Sequence, residues 1–281
     1  MTWVRGPGVS VFADDVFAGK VAVITGGGTG LGREIALSFA ALGAQVVIAG
    51  RTQSTLDAVV EEIDTNGGRC LAVPTNIRDL NQVDALRDVT YEAFGHVDFL
   101  INNAGGQFPS LPSGISDNGW RAVVDLNLNG TWNVTNRFMQ PMAKAGFGSI
   151  VNVVHTFSFD RGAPMFVHSG AARAGVVNMV KTLAPYLMRH GVTINAFAPG
   201  VFATPGMVEG ELEAVGHSEA SLNEELAAVG SPIRLGTVDE MAAVVLFLCS
   251  SGGRYVSGAT IIADGTSMQS NWPNFFPEGA L

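Results

Sequence analysis

The sequence predicts a single doubly wound α/β domain in which helices cover both faces of a seven-stranded parallel sheet. Three observations lead there. Short continuous apolar runs, rich in Val and Ile, alternate with longer segments of helical period. The first run opens into a glycine-rich turn that leads straight into a helical stretch. No linker, low-complexity tract or short repeat divides the 281 residues, so one domain over 1–281 is expected.

The elements follow in order. VAVIT (21–25) precedes a helix near 30–42, and QVVIA (45–49) precedes one near 53–65. RCLAV (69–73) is followed by 79–94, VDFLI (97–101) by 117–143, and SIVNVV (149–154) by 166–189. VTINAFA (192–198) and ATIIA (259–263) supply two more strands, with a helix near 237–249 before the last. Strands buried on both faces read as unbroken apolar runs, and helical crossovers make them parallel. Residues 1–17 form an N-terminal extension and 267–281 a C-terminal tail, aromatic from Trp272 to Phe276. The irregular stretch 200–232, opened by Pro199-Gly200 and rich in Gly, Glu and Ser, reads as a substrate lid. It offers Phe202, Met207, Val208 and Leu212 for an apolar pocket.

Composition narrows the function classes. A net charge of −9 argues against a nucleic-acid or anionic-membrane partner. No run approaches the ~18 apolar residues a membrane span needs. The N-terminus has no long apolar stretch and carries Asp14 and Asp15, so no signal peptide is expected and the cytoplasm is the expected compartment. Cys70 and Cys249 lie in apolar segments and read as buried thiols. No metal-ligand spacing stands out.

In such sheets ligands bind beyond the carboxyl ends of the strands. After the first strand comes Thr25-Gly26-Gly27-Gly28-Thr29-Gly30-Leu31-Gly32. Glycines let the backbone approach a pyrophosphate, whose charge is met by amides at a helix N-terminus. Gly26, Thr29, Gly30, Leu31 and Gly32 are therefore expected to bind a dinucleotide. After the second strand stand Arg51 and Thr52, with no acid to hold the two ribose hydroxyls of NAD. Arginine's permanently charged fork suits a 2′-phosphate, so NADPH is the predicted cofactor.

TGGGTGLG, then Asn102-Asn103-Ala104-Gly105, then Pro199-Gly200, resemble the short-chain dehydrogenase/reductase family over about residues 18–266. The resemblance implies a Rossmann-type fold and a homotetramer. It also implies that Asn76 and Ile77 line the adenine, that Asn103, Ala104 and Gly105 meet the neighbouring ribose, and that Pro199, Gly200, Val201 and Thr204 meet the nicotinamide amide.

The family's usual catalytic set is an asparagine, a serine, a tyrosine and a lysine four residues after the tyrosine. Here His155 stands where the serine is expected, Ser169 at the tyrosine position and Arg173 at the lysine position. Shifting the frame to Lys181 puts Val177 at the tyrosine position, and none of Tyr91, Tyr186 and Tyr255 falls in either frame. Ser169 and Arg173, at i and i+4, share one helical face. Arg173 can bond ribose hydroxyls, and His155 is the candidate for orienting substrate or donating a proton. For the asparagine, Asn127 fits the general frame and Asn129 a variant one; two residues apart on a regular helix point about 200° from each other, and Asn127 is favoured.

Reducing a ketone makes an alkoxide that needs a positioned acid, worth roughly 10²–10⁴-fold. Reducing the C=C bond of an unsaturated thioester makes an enolate that hydrogen-bond donors can stabilise, at about 10²–10³-fold per donor. The missing tyrosine thus favours conjugate reduction. GGGTGLG, NNAGGQF (102–108), VHSGAARAG (167–175) and NWP (271–273) are similar to the peroxisomal trans-2-enoyl-CoA reductase branch. RLGTVDEMA (234–242) and FLCS (247–250) are similar to 2,4-dienoyl-CoA reductases. That branch implies fatty acid metabolism and a small acyl-CoA substrate. It departs here too: dienoyl-CoA reductases carry tyrosine near Ser158 and lysine at Arg173, and enoyl-CoA relatives carry tyrosine near Val177. The 200–232 stretch has no Lys or Arg, so CoA phosphates would fall to Arg51 or Arg161. Two other readings stand beside this one: a carbonyl reductase or alcohol dehydrogenase acting on an apolar alicyclic or steroid-like substrate, and a non-catalytic dinucleotide sensor.

Overall fold

The computed structural model describes residues 6–159, 161–202, 204, 218–228 and 234–266. Seven parallel strands form one sheet in the order β3-β2-β1-β4-β5-β6-β7. They are β1 Val21–Thr25, β2 Gln45–Gly50, β3 Arg69–Pro74, β4 Phe99–Asn102, β5 Gly148–Val153, β6 Val192–Pro199 and β7 Thr260–Ala263. The helices are α1 Gly30–Ala41, α2 Gln53–Thr65, α3 Leu80–Phe94, α4 Asp117–Val124, α5 Gly130–Ala145, α6 Val167–Met188, α7 Glu219–Ala228 and α8 Val238–Cys249. This is the predicted single α/β domain with a seven-stranded parallel sheet.

The strands form because their side chains are apolar on both faces, and all of β1, β4 and β6 is buried. Two cores result. One, below α1 and α8, centres on Phe17, Phe39 and Phe99, whose rings lie 4.9–5.5 Å apart. The other, below α3, α5 and α6, joins Val23, Leu100, Phe138, Ile150 and Ile194. The N-terminal extension enters the first core through Val9 and Phe17, and Gly8 N–H donates to Asp239 Oδ2 at 3.1 Å.

Three departures from the sequence reading have physical causes. β4 begins at Phe99 rather than Val97 because the buried Asp98 carboxylate accepts from Val21 N–H (2.9 Å) and Lys20 Nζ (3.0 Å), ending the ladder with side-chain bonds. The expected helix 117–143 is interrupted by a π-turn, Asp125–Asn129. The stretch 200–232 is not wholly irregular: α7 lies inside it, and Ser218 and Ser221 cap its start by exchanging bonds of 2.8 and 3.0 Å. Met207, Val208, Leu212 and the tail 267–281 fall outside the described residues.

Strand order reverses direction between β1 and β4, so a crevice opens beyond their carboxyl ends.

Candidate active site

The glycine turn after β1 is held by backbone geometry that only glycine adopts freely. Gly26 and Gly30 take φ of +67° and +53°. A Cβ on Gly32 would run into the Gly26 carbonyl and the Asn103 side chain. Asn103 Nδ2 donates to the carbonyls of Thr25 (3.0 Å) and Gly26 (3.3 Å), while Thr25 Oγ1 accepts from the amides of Asn103 (3.1 Å) and Ala104 (3.0 Å). The ends of β1 and β4 are thereby clasped. Thr29 caps α1 without a side-chain bond to its first-turn amides, and that turn holds no acid. Unclaimed amides at a positive helix end fit a pyrophosphate.

The other expected cofactor residues sit around this platform. Arg51 and Thr52 are exposed at the end of β2. Asn76 Oδ1 accepts from Arg78 N–H and Nε–H, both 3.2 Å, at the end of β3. Ile77 is buried against Gly130 of α5, so its side chain serves the core. Pro199 is the buried last residue of β6, and Gly200 N–H donates to Ala263 O at 2.8 Å. The Val201 carbonyl accepts from Gly236 N–H at 3.0 Å, and Thr204 lies over Gly30, its Cγ2 3.6 Å from where a Cβ there would be.

At the chemical end, the π-turn decides which asparagine faces inward. Gly130 N–H bonds the Asp125 carbonyl, five residues back, and Thr131 Oγ1 takes the Asn127 carbonyl at 2.8 Å. Asn127 is buried and clasps Gly106 from both sides, accepting from its N–H (3.2 Å) and donating to its carbonyl (2.7 Å). Asn129 is exposed and bonded to Asp125.

Arg173, on the second turn of α6, donates from Nη1 to the Val153 carbonyl at the end of β5 (2.8 Å). A Cβ on Gly105 would lie 2.5 Å from Arg173 Nη2 and 2.7 Å from Asn127 Oδ1. Gly105, Asn127 and Arg173 therefore form one cluster that leaves no room for a side chain at 105. Lys181 is exposed and Val177 buried in core, so the alternative lysine frame points away from the crevice.

Ser169 is buried in the first turn of α6, and its hydroxyl has no hydrogen-bond partner among the described residues; the buried Ser158 hydroxyl after β5 shares that state. His168 is buried edge-on to Phe108, ring centroids 4.5 Å apart, near the Phe108 and Phe166 carbonyls. Burial pulls its pKa below the ordinary imidazole value.

His155 follows β5 with its ring stacked on Phe157 at 4.5 Å. Its Nδ1 accepts from Phe157 N–H, and its Nε2 lies 3.4 Å from the Gln107 side-chain amide. Burial first, and the Arg173 charge second, push its pKa down to about 3. The ring is neutral across the physiological range. It can donate a hydrogen bond but holds no imidazolium proton to transfer.

The tyrosines lie elsewhere. Tyr91 stacks on Phe138 between α3 and α5, its pKa pushed up to about 12 mainly by burial. Tyr186 is near the far end of α6, on the order of 25 Å along the axis from Ser169 by helical rise. Tyr255 is fully exposed after α8.

The family model described as short chain dehydrogenase matches residues 20–213. The chain belongs to the short-chain dehydrogenase family. It is thus an oxidoreductase of a family that uses an NAD(P)(H) dinucleotide. This short-chain dehydrogenase is similar to a probable 2,4-dienoyl-CoA reductase 3 [(3E)-enoyl-CoA-producing] of Caenorhabditis elegans, 35% identical over 93% of this chain and 84% of the relative. It is also similar to a 3-oxoacyl-[acyl-carrier-protein] reductase of Synechocystis, 36% identical over 88% of this chain and 96% of that one. A crystal structure of a short chain dehydrogenase from Bacillus anthracis superposes with TM-score 0.82 at 35% identity, covering 92% of this chain and 100% of that chain.

In this short-chain dehydrogenase the end of β5 and the head of α6 bring together two buried hydroxyls, a neutral imidazole and a guanidinium. Sequence reasoning missed two participants. Gln107 lies within the NNAGGQF segment, but the resemblance gave it no role, and only its approach to His155 singles it out. The Val153 carbonyl is backbone and invisible to a search by side-chain type. No helix among the described residues is long and apolar enough to cross a membrane, and no cluster of metal-binding side chains occurs among them.

Proposed function

We propose that this chain reduces the C=C bond of a 2-enoyl-CoA or 2,4-dienoyl-CoA thioester with NADPH. One observation carries the reading. The head of α6 and the loop before it offer hydrogen-bond donors, Ser169 and neutral His155, but among the described residues no phenol or imidazolium placed to give a proton to an alkoxide as it forms. An enolate needs donors at its oxygen rather than an immediate proton. Relatives named 2,4-dienoyl-CoA reductase support the same reading.

Bound NADPH supplies a hydride. The glycine turn and the first amides of α1 would hold its pyrophosphate, Arg51 its 2′-phosphate, and Arg173 the ribose beside the nicotinamide. His155 and Ser169 donate to the thioester oxygen as negative charge moves onto it, and Asn127 holds the Gly106 backbone that walls the site. With no imidazolium or phenol at hand among the described residues, the α-carbon would take its proton from water. By family likeness we further infer a homotetramer; Trp120 and Trp132, about two-fifths exposed, offer apolar surface for it.

A second reading, carbonyl reduction, is favoured by the 3-oxoacyl-[acyl-carrier-protein] reductase relative. NADPH oxidation against crotonyl-CoA, a 2,4-dienoyl-CoA and a panel of ketones separates the two. Turnover of the unsaturated thioesters with little on ketones is expected; ketone turnover alone overturns the proposal. NADH binding as well as NADPH would remove the role given to Arg51.

A further inference from the structure

A neutral imidazole can help or hinder an oxyanion, depending on which nitrogen carries its hydrogen. With the hydrogen on Nε2, the ring presents a donor at that edge. With it on Nδ1, the ring presents a lone pair that repels developing negative charge. The tautomer of His155 therefore sets the sign of its contribution.

Three contacts bear on that tautomer. Phe157 N–H donates to Nδ1 at 3.4 Å, which requires the hydrogen on Nε2. The stack on Phe157 fixes the ring plane. The Gln107 amide arrives from the loop after β4 and is placed with its nitrogen 3.4 Å from Nε2. A glutamine amide can present either its NH2 or its oxygen after a half-turn about its last torsion. An NH2 facing Nε2 would demand the hydrogen on Nδ1 and oppose the Phe157 bond. A carbonyl oxygen facing Nε2 agrees with it. Only the second arrangement satisfies both partners of a neutral ring.

We infer that Gln107 is a positioning residue that turns its side-chain oxygen toward His155 and, together with Phe157 N–H, holds the imidazole as the Nε2–H tautomer, a hydrogen-bond donor for the substrate oxygen. The contact is long, so a thioester oxygen entering the crevice can share or displace it. Among the described residues, the one charge acting on this ring is Arg173 from α6, which opposes protonation; Gln107 and Phe157 bring none. The inference rests on the thioester reading for its purpose, but the tautomer belongs to the free enzyme.

The test is two-bond ¹H–¹⁵N NMR on the full chain with ¹⁵N-labelled histidine, where His155 is assigned among five histidines by the loss of its signal in His155→Ala. The wild-type ring is expected as a single Nε2–H species, unchanged from about pH 5 to 8. Gln107→Leu should yield a mixture of tautomers and lower the crotonyl-CoA turnover number several-fold, with NADPH affinity unchanged. Gln107→Glu keeps an oxygen toward Nε2–H but adds a negative charge, so the ring should begin to titrate within that window and turnover should gain an acid limb. An Nδ1–H ring in the wild type, or a pure Nε2–H ring in Gln107→Leu, overturns the inference. If Gln107→Leu does not fold, a Gln107→Glu ring that fails to titrate does so. Absence of thioester turnover with the predicted spectra would instead remove the thioester reading and leave the tautomer assignment standing.

Discussion

The two ends of the crevice are built on opposite plans. Around the glycine turn, Thr25, Gly26, Asn103 and Ala104 are bonded to one another, each bond joining a side chain of Thr25 or Asn103 to backbone. Around the head of α6, the hydroxyls of Ser158 and Ser169 are buried with no partner among the described residues. A self-satisfied network gives a rigid platform, whereas a buried unpaired hydroxyl costs stability and is retained where a bound molecule completes it. Stability and chemistry are therefore separated along one cleft.

The sharpest break of that contrast is Gly32→Ala. Its new methyl meets the Gly26 carbonyl and Asn103, neither free to move, so overpacking of about 1–3 kcal/mol falls on the dinucleotide platform. NADPH affinity by fluorescence titration should drop roughly tenfold to a hundredfold. Ser169→Ala should do the reverse of a normal buried mutation. Thermal stability is expected to hold or rise, because an unpaired hydroxyl is removed, while crotonyl-CoA turnover falls about 10²-fold. A loss of stability with unchanged turnover would show that the two ends are not built differently after all. Asn103→Ala is its counterpart and should cost about 1–3 kcal/mol in urea unfolding, by removing the donor from two part-buried carbonyls.

A different kind of break concerns acid. The folded pKa of His155, about 3, lies below the unfolded value near 6.5, so between these values the unfolded chain binds the extra proton. Stability contributed by the neutral ring is full above about pH 6.5 and declines as pH falls toward 3. His155→Asn should flatten that part of the stability profile, measured by urea midpoints across the range; an unchanged slope would place the acid sensitivity elsewhere.

The alternation of strands and helices was legible because apolar runs and helical period are local signals, and the glycine turn because positive φ favours one residue type. The chemical end was legible only in part. That Ser169 and Arg173 share a face follows from spacing, but Arg173 reaching Val153 and crowding Gly105 depends on how β5, β4 and α6 meet. The break at 125–129 left no trace in DLNLN, which contains no Gly or Pro, because Gly106 on a distant loop engages Asn127 from outside the helix. α7 was hidden because helix-favouring EASLNEELAA sits within Gly-rich surroundings that read as one loop.

That π-turn has a further consequence. An additional residue within a single turn rotates everything after it by about 100° relative to what precedes it. α4 and α5 thus follow one another with offset phases, the turn between them carrying Asn127 and α5 seating Val134 and Phe138 against the sheet. Removing one residue from 125–129 would restore a regular helix and force these two alignments to compete. Chain length at this point, more than the identity of any side chain, keeps them compatible.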